Sequence, residues 1–332
     1  VFNSVITSVG AAVPQRILPN RYFNELLGED VDTWLRTNVQ IYERRWCAEG
    51  ESTVTLAEGA ARQALERAAV EAEALDLLIV ATDTPEYVSP STAAVLQHRL
   101  GAKRAGTFDL NAACAGFVTA LDVGARYIRS DERYQNVLVI GAYAMSKHLN
   151  LTDKKTVTLF ADGAGAVLLQ ARPNGGQPPV GFLASELRTL GEYYDWMGIY
   201  AGGTREPVTE AALANHHHQL QFVRKFPKEL NPTIWSDMAW QLCRRIGVEP
   251  YQVQHFFLTQ ININSIWETM DRLGVPRERA TTVMHRFGYT GSACIPMALN
   301  EAWEKGAVRS GDLCFFIGSG GGLAFAAAAF RM

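Results

Sequence analysis

Short apolar runs alternate with helical stretches along most of the chain, and the alternation occurs twice. In the first half a helical stretch ending Gln63-Ala64-Leu65-Glu66-Arg67 leads to the strand-like Leu77-Leu78-Ile79-Val80. In the second, Gln241-Leu242-Cys243-Arg244-Arg245 leads to His255-Phe256-Phe257-Leu258. Val137-Leu138-Val139-Ile140-Gly141 has its partner in Cys314-Phe315-Phe316-Ile317-Gly318, and between these runs Ala120-Leu121 answers Ala298-Leu299. The four correspondences keep one order and an offset of about 178 positions, as from 77 to 255. Apolar runs of this length between helices predict buried sheets covered by helices. Two copies predict a layered α/β architecture with pseudo-two-fold symmetry. The expected boundaries are 1–172 for the N-terminal half and 180–332 for the C-terminal half. The turn-rich segment Ala171-Arg172-Pro173-Asn174-Gly175-Gly176-Gln177-Pro178-Pro179 joins them. Residues 191–235 have no counterpart in the first half and read as an inserted cap.

Composition narrows the class without naming a function. The chain has 332 residues, 48% of them hydrophobic and 20% charged, with a net charge of -3. Nothing there draws it to nucleic acid or to a membrane surface. Apolar stretches such as Leu323 to Phe330 fall well short of the roughly 20 residues that span a bilayer. Residues 1–20, with Gly10, Pro14, Arg16 and Pro19, lack the apolar core of a signal peptide. The five cysteines show no CxxC spacing, so neither a disulfide framework nor a metal site is expected, and a reducing cytoplasm fits.

Candidate chemistry centres on one cysteine. Phe108-Asp109-Leu110 reads as a strand end, and Phe117, Leu121, Ala125 and Ile128 recur at helical spacing after it. Cys114 thus falls at a strand-to-helix turn among small residues. A helix N-terminus offers free amides and a positive dipole end, which favour the nucleophilic thiolate. On this local evidence a buried structural cysteine is an equal alternative. Cys47, Cys243, Cys294 and Cys314 read as structural. In the internal alignment Cys114 lies opposite Gly291 or Ser292, which predicts a pocket near the pseudo-two-fold axis. Gly318-Ser319-Gly320-Gly321-Gly322 follows a strong strand and reads either as a donor of amides to a developing oxyanion or as a tight turn. Asp162-Gly163-Ala164-Gly165-Ala166 lacks dinucleotide-fingerprint spacing, so no cofactor is expected.

These residues resemble the β-ketoacyl-acyl-carrier-protein synthases of type III, of the thiolase superfamily, almost from end to end. The similarity runs through Trp34 with Glu43-Arg44-Arg45, Ala81-Thr82-Asp83-Thr84-Pro85, and Pro90-Ser91-Thr92-Ala93. It continues through Asn111-Ala112-Ala113-Cys114-Ala115-Gly116-Phe117, the family's most specific signature. Phe160 to Ala166, Ala201-Gly202-Gly203 and Gly318 to Gly322 complete it. The resemblance implies a thiolase-like fold, with duplicated βαβαβ halves in a layered α/β/α/β/α architecture, Cys114 as acyl-carrying nucleophile, an oxyanion hole from the amides of Cys114 and Gly321, and a homodimer. It implies acyl thioesters of acyl carrier protein or coenzyme A as substrates.

Departures from the family pattern define the expectations that follow. The family pairs its cysteine with a histidine in a His-Gln-Ala-Asn motif, where this chain reads Thr259-Gln260-Ile261-Asn262. An asparagine in a Gly-Asn-Thr motif is replaced by Tyr289 in Gly288-Tyr289-Thr290. Neither hydroxyl has an imidazole's basicity near neutral pH. His285, four residues before Tyr289, is the candidate displaced base. Asn38 and Asn264 stand where the family has coenzyme A-binding arginines; Trp34 is kept, and Lys154 is the nearest match to a further basic position. Ser89 occupies the place of a bulky aromatic near the acyl pocket. Lys147, Lys155, Arg224, Lys225 and Lys228 offer further charge to an acidic carrier protein. The adjacent His216, His217 and His218 are expected on an exposed loop or helix, not around a metal.

The leading expectation is an acyltransferase of specialised metabolism. It loads an acyl group onto Cys114 and passes it to carbon, oxygen or nitrogen of a small-molecule acceptor. The alternatives are a decarboxylative Claisen-condensing synthase with a rearranged site, and a non-catalytic subunit of a heterodimer.

Overall fold

The computed structural model describes residues 2–173, 175 and 178–332. Five strands form the first sheet: β1 (Phe2–Ala12), β2 (Leu77–Ala81), β3 (Gly106–Leu110), β4 (Asn136–Ala144) and β5 (Asp162–Pro173). Their order is β1-β5-β4-β2-β3, with β2 parallel to β3 and β4, and β5 antiparallel to β4 and β1. The second sheet contains β6 (Gly181–Thr189), β7 (His255–Leu258), β8 (Leu313–Gly320) and β9 (Ala324–Arg331), in the order β7-β8-β9-β6. There β7 is parallel to β8, and β9 is antiparallel to β8 and β6. Leu77 faces Val137 in the first sheet, and His255 faces Cys314 in the second, so the repeat seen along the chain is a repeat of strand register.

Period-two alternation decides which layer each strand residue enters. Leu77, Ile79 and Ala81 of β2, with Val137 and Val139 of β4, enter the central core, while Leu78, Val80, Leu138 and Ile140 enter a separate outer cluster. Helices α1 (Thr53–Ala68) and α2 (Thr92–Leu100) cover that outer face with Ala57, Ala60, Ala64, Ala93 and Leu96. Small side chains let α1 lie close to the sheet, and Ser52 with Thr55 closes its N-terminus as a capping box. Between the sheets lie α3 (Gly116–Ser130), packed on strands of both, and, after the α4 (Leu230–Ile246) and α5 (Ile263–Leu273) pair outside the second sheet, α6 (Cys294–Glu304). The layers are therefore helix, sheet, helix, sheet, helix.

Two close approaches lock the halves together. A Cβ on Gly141 in β4 would collide with the backbone carbonyl of Ser292, in the turn before α6. Its counterpart Gly318 in β8 would bring a Cβ to 3.1 Å from Ala115 Cα and 3.5 Å from the Cys114 carbonyl, in the turn before α3. Each half's central strand thus receives the helix start of the other half, and glycine is what permits both approaches.

The halves also differ. A single bridge between Phe256 and Ala280 stands where a partner of β3 would lie. The segment after β6 carries a ribbon of Met197–Gly198 with Gln221–Phe222 and a short helix at Glu210–Ala214. Helix α4 opens at Leu230, inside the 191–235 range read as a cap, so the last part of that range belongs to the outer helical layer. Within the join, Asn174, Gly176 and Gln177 lie outside the described residues. Among the described residues no helix is long and apolar enough to cross a membrane.

Candidate active site

The chain leaves β3 at Leu110 and turns sharply before α3. Asn111 Oδ1 accepts the Ala113 N–H at 2.9 Å, and the Ala112 and Ala113 carbonyls accept from Ala115 and Gly116 at 3.1 and 2.9 Å. Ala113 adopts φ +47°, in the left-handed region that side chains disfavour. Strain at the residue before Cys114 aims it inward at the head of the helix, where it is buried. Gly320 backs onto the Cys114 amide: a Cβ there would strike that nitrogen and come to 2.8 Å from Ala113 Cβ.

Burial pushes the Cys114 thiol well above its ordinary pKa, the Asp83 carboxylate adds to the rise, and a hydrogen bond from Tyr289 works against it. Burial and Asp83 thus act against the thiolate that a helix terminus is expected to favour. Burial raises the Tyr289 phenol in the same way, so its hydroxyl stays protonated and able to donate. Its ring is fixed by Phe160 at 5.2 Å and by backbone bonds to Leu159 and Ala161, each 2.9 Å.

Thr259 is occupied elsewhere. Its Oγ1 accepts the Ser319 N–H at 2.9 Å and its hydroxyl donates to the Ser319 carbonyl at 3.4 Å. The Ser319 hydroxyl in turn donates to Asn231 Oδ1 at 3.2 Å. That bond orients the Asn231 amide so that its N–H donors are left for the cavity. Neighbouring Gln260 is a clamp: its Oε1 accepts from Val283 and Met284 and its Nε2 donates to the Thr281 carbonyl.

A cavity of about 840 Å³ ends on these groups. Trp34, Thr259, Asn262 and Tyr289 all line it, together with Asn231, Ser319 and Gly320. Tyr289 and Gly320 touch both the cavity and Cys114, so it ends beside the thiol. Gly321 follows directly after this wall. At the mouth Asn264 donates to the Asn38 carbonyl at 2.7 Å, and Lys155, Arg224, Lys225 and Lys228 supply positive charge.

Three expected residues lie elsewhere. His285 sits on a single turn, Met284–Phe287, with its carbonyl accepting from the Tyr42 N–H and its half-buried ring among Arg286, Glu301, Lys305 and Glu43. Its pKa is lowered by burial first and Arg286 second, and the ring is not brought to Cys114. Lys154 pairs with Glu29 at 3.0 Å off the cavity, and its neighbour Lys155 takes the lining position. Ser89 is exposed and outside the cavity. His217 is engaged by Glu206 at 2.7 Å and His216 by Gln219 at 2.9 Å.

Asn231, Ser319 and Asp83 were not singled out from the sequence. For Asp83 a signal existed: a carboxylate two positions past a fully apolar parallel strand, at the carboxyl end where open α/β sheets place their sites.

Comparison with known proteins gives the same family twice over. The 3-oxoacyl-[acyl-carrier-protein (ACP)] synthase III model matches residues 108–191, and its C-terminal counterpart matches residues 243–332. Beta-ketoacyl-acyl-carrier-protein synthase III of Roseiflexus sp. (strain RS-1) is 38% identical, covering 99% of this chain and 98% of its own. That of Symbiobacterium thermophilum is 36% identical, covering 98% and 97%. The crystal structure of 3-oxoacyl-acyl-carrier-protein synthase III from Aquifex aeolicus VF5 superposes with TM-score 0.87 at 31% identity, covering 99% of this chain and 100% of that one. The priming beta-ketosynthase of the R1128 polyketide biosynthetic pathway gives TM-score 0.87 at 27% identity, covering 99% and 96%. This chain belongs to the ketoacyl synthase III family and has its thiolase fold.

Proposed function

We propose that this family member is an acyltransferase that loads an acyl group from an acyl-carrier-protein or coenzyme A thioester onto Cys114 and passes it to a small-molecule nucleophile without losing carbon dioxide. The observation that carries this reading is the surroundings of the thiol. The nucleophile turn is complete, yet no histidine lines the cavity among the described residues. Thr259 is spent on the Ser319 backbone and Tyr289 on the thiol. The histidine and asparagine that the family resemblance assigns to malonyl decarboxylation have no substitute of equal donor strength.

Loading needs less. The Cys114 thiol gives up its proton as its sulfur attacks the thioester carbon, backbone amides of Cys114 and Gly321 take the developing oxyanion charge, and the carrier leaves as a thiol that takes up a proton in turn. Lys155, Lys225 and Lys228 at the mouth suit the phosphate common to both thioester donors. The enzyme acts as a homodimer, for which β3 offers an open sheet edge.

Intact-protein mass spectrometry after incubation with a panel of acyl thioesters tests the loading step. Wild type should gain one acyl mass and Cys114→Ala none. Adding alcohols and amines should discharge the adduct, while a malonyl donor releases no carbon dioxide. No adduct from any donor overturns the reading, and carbon dioxide release transfers the weight to a condensing synthase.

A further inference from the structure

The two ends of the cavity carry different polar equipment. Among the described residues, the side-chain amides of Asn262 and Asn231 line its wall with their Nδ2 groups free of any partner in the chain. Asn262 belongs to the mouth. Its Oδ1 accepts the Asn264 N–H at 3.0 Å at the start of α5, and Asn264 in turn donates to the Asn38 carbonyl at 2.7 Å. Asn231 belongs to the thiol end. Its Oδ1 accepts from the Ser319 hydroxyl at 3.2 Å, and Gly320, the next residue of β8, backs onto the Cys114 amide. Ser319 cannot swing away, because Thr259 Oγ1 bonds both its N–H and its carbonyl, at 2.9 and 3.4 Å. The Asn231 amide is therefore held in one orientation, with its oxygen engaged and two N–H donors to offer.

The wall around this amide is apolar. Leu230 precedes it on α4, and Leu323 follows the Gly-rich turn, tied to Leu190 by two backbone bonds of 2.9 Å. From the cap, Met197, Phe222 and Phe226 face the same cavity. Met197 pairs with Phe222 in the ribbon, while Phe226 packs on Phe222 at 5.8 Å and stacks on Trp196 at 5.4 Å. The cap wall is thus braced from behind by its own rings. It also reaches the thiol end, since a Cβ on Gly321 would lie 3.5 Å from the Met197 carbonyl. One fixed polar group facing aromatic and aliphatic surface is the usual make-up of a small-molecule site.

Asn262 and the mouth lysines are placed for the donor's arm and its phosphate, and once the carrier has left, the inner end is open to the second substrate. We propose that this inner end is the acceptor subsite, and that it takes an apolar, ring-bearing alcohol or amine with a carbonyl oxygen that accepts from Asn231. This rests on the acyl-transfer reading above. A carbonyl fits where a hydroxyl does not. Asn231 offers donors, so a hydroxyl would bring a proton that finds no acceptor among Met197, Phe222 and Leu230.

The transfer step balances. The acceptor's O–H or N–H bond breaks, and its lone pair forms the new bond to the acyl carbon. The C–S bond to Cys114 breaks, and the sulfur takes up the proton, so the thiol is restored with no other reactant.

The test follows discharge of the acyl group from Cys114 by intact-protein mass spectrometry, on protein already loaded from an acyl thioester. The probes are benzyl alcohols and benzylamines in matched pairs, one member carrying a ring acetyl group and the other an ethyl group of similar size. Wild type should discharge to the acetyl member about 10-fold faster, the difference one buried hydrogen bond makes. Asn231→Leu, which keeps the bulk and loses the donors, should bring the pair within about twofold of each other. Asn231→Ala serves as a second variant, should leucine block the cavity. A preference that survives in both variants overturns the role of Asn231. Wild type that discharges to both members equally, or to neither, overturns the acceptor subsite while leaving loading intact. Loss of loading in both variants assigns the amide to the donor's arm and overturns it too. Failure of wild type to load overturns the function, and this inference with it.

Discussion

Replacing Asp83 by asparagine should stabilise the protein, and the gain should depend on pH. Burial raises the carboxyl from its ordinary 3.8 to about 6. A raised carboxyl means that the folded protein binds the proton more tightly than the unfolded chain does. Stability therefore falls as pH rises through this window. The penalty is absent below about pH 4 and complete above about pH 6. Two pH units correspond to ~3 kcal/mol. Asparagine keeps the shape and loses the charge; its buried amide still costs about 1–3 kcal/mol, but that cost does not vary with pH. The difference between variant and wild type at about pH 8, less the same difference at about pH 4, isolates the charge at ~3 kcal/mol. Thermal or urea unfolding of both proteins at the two pH values reads it, since every other titrating group is shared. Parallel stability curves for the two proteins would show that the carboxylate is solvated and refute the argument.

Three further outcomes follow from the geometry. Gly320→Ala forces a methyl against the Cys114 amide and should slow acyl loading by about 100-fold, at a stability loss of about 1–3 kcal/mol; unchanged loading in mass spectrometry would remove Gly320 from the site wall. Thr259→Ala leaves the buried Ser319 N–H without an acceptor and should lower stability by about 1–3 kcal/mol in urea unfolding. Its loading rate should stay within about threefold of wild type, because the hydroxyl serves the backbone and not the thioester. Tyr289→Phe removes the hydrogen bond that favours thiolate, so iodoacetamide should react about 10-fold more slowly at a fixed pH, and an unchanged rate would show that the hydroxyl does not serve Cys114.

The fold was legible because its signals are local and repeated. Leu77 to Val80 and Phe256 to Leu258 are runs that only a doubly covered sheet can bury, and their common spacing to the next strand reports shared register. The place of Cys114 at a strand-to-helix turn was legible for a similar reason: a strand end, small residues and a helical period meet at one position. What failed depended on direction and depth. His285 is four residues from Tyr289, but the turn at Met284–Phe287 carries its ring toward Glu301. A helix start predicts a stabilised thiolate, yet burial and Asp83 act against it, and neither depth nor a neighbour 31 positions away (83 to 114) is written in a local pattern. Thr259 was read for the group it lacks, whereas its role comes from Ser319, a contact across 60 positions.

The reciprocal seating of Gly141 under the Ser292 turn and Gly318 under the Cys114 turn places the Cys114 sulfur on a seam and not inside either half. A thiol mounted this way feels any slip between the two sheets at full amplitude, because the same contact that holds the halves in line also aims it. Heating should therefore silence the enzyme while both sheets are still intact. For the same reason, a methyl placed at Gly141, in the opposite half from the Gly-rich wall, is a remote handle on reactivity that touches no substrate.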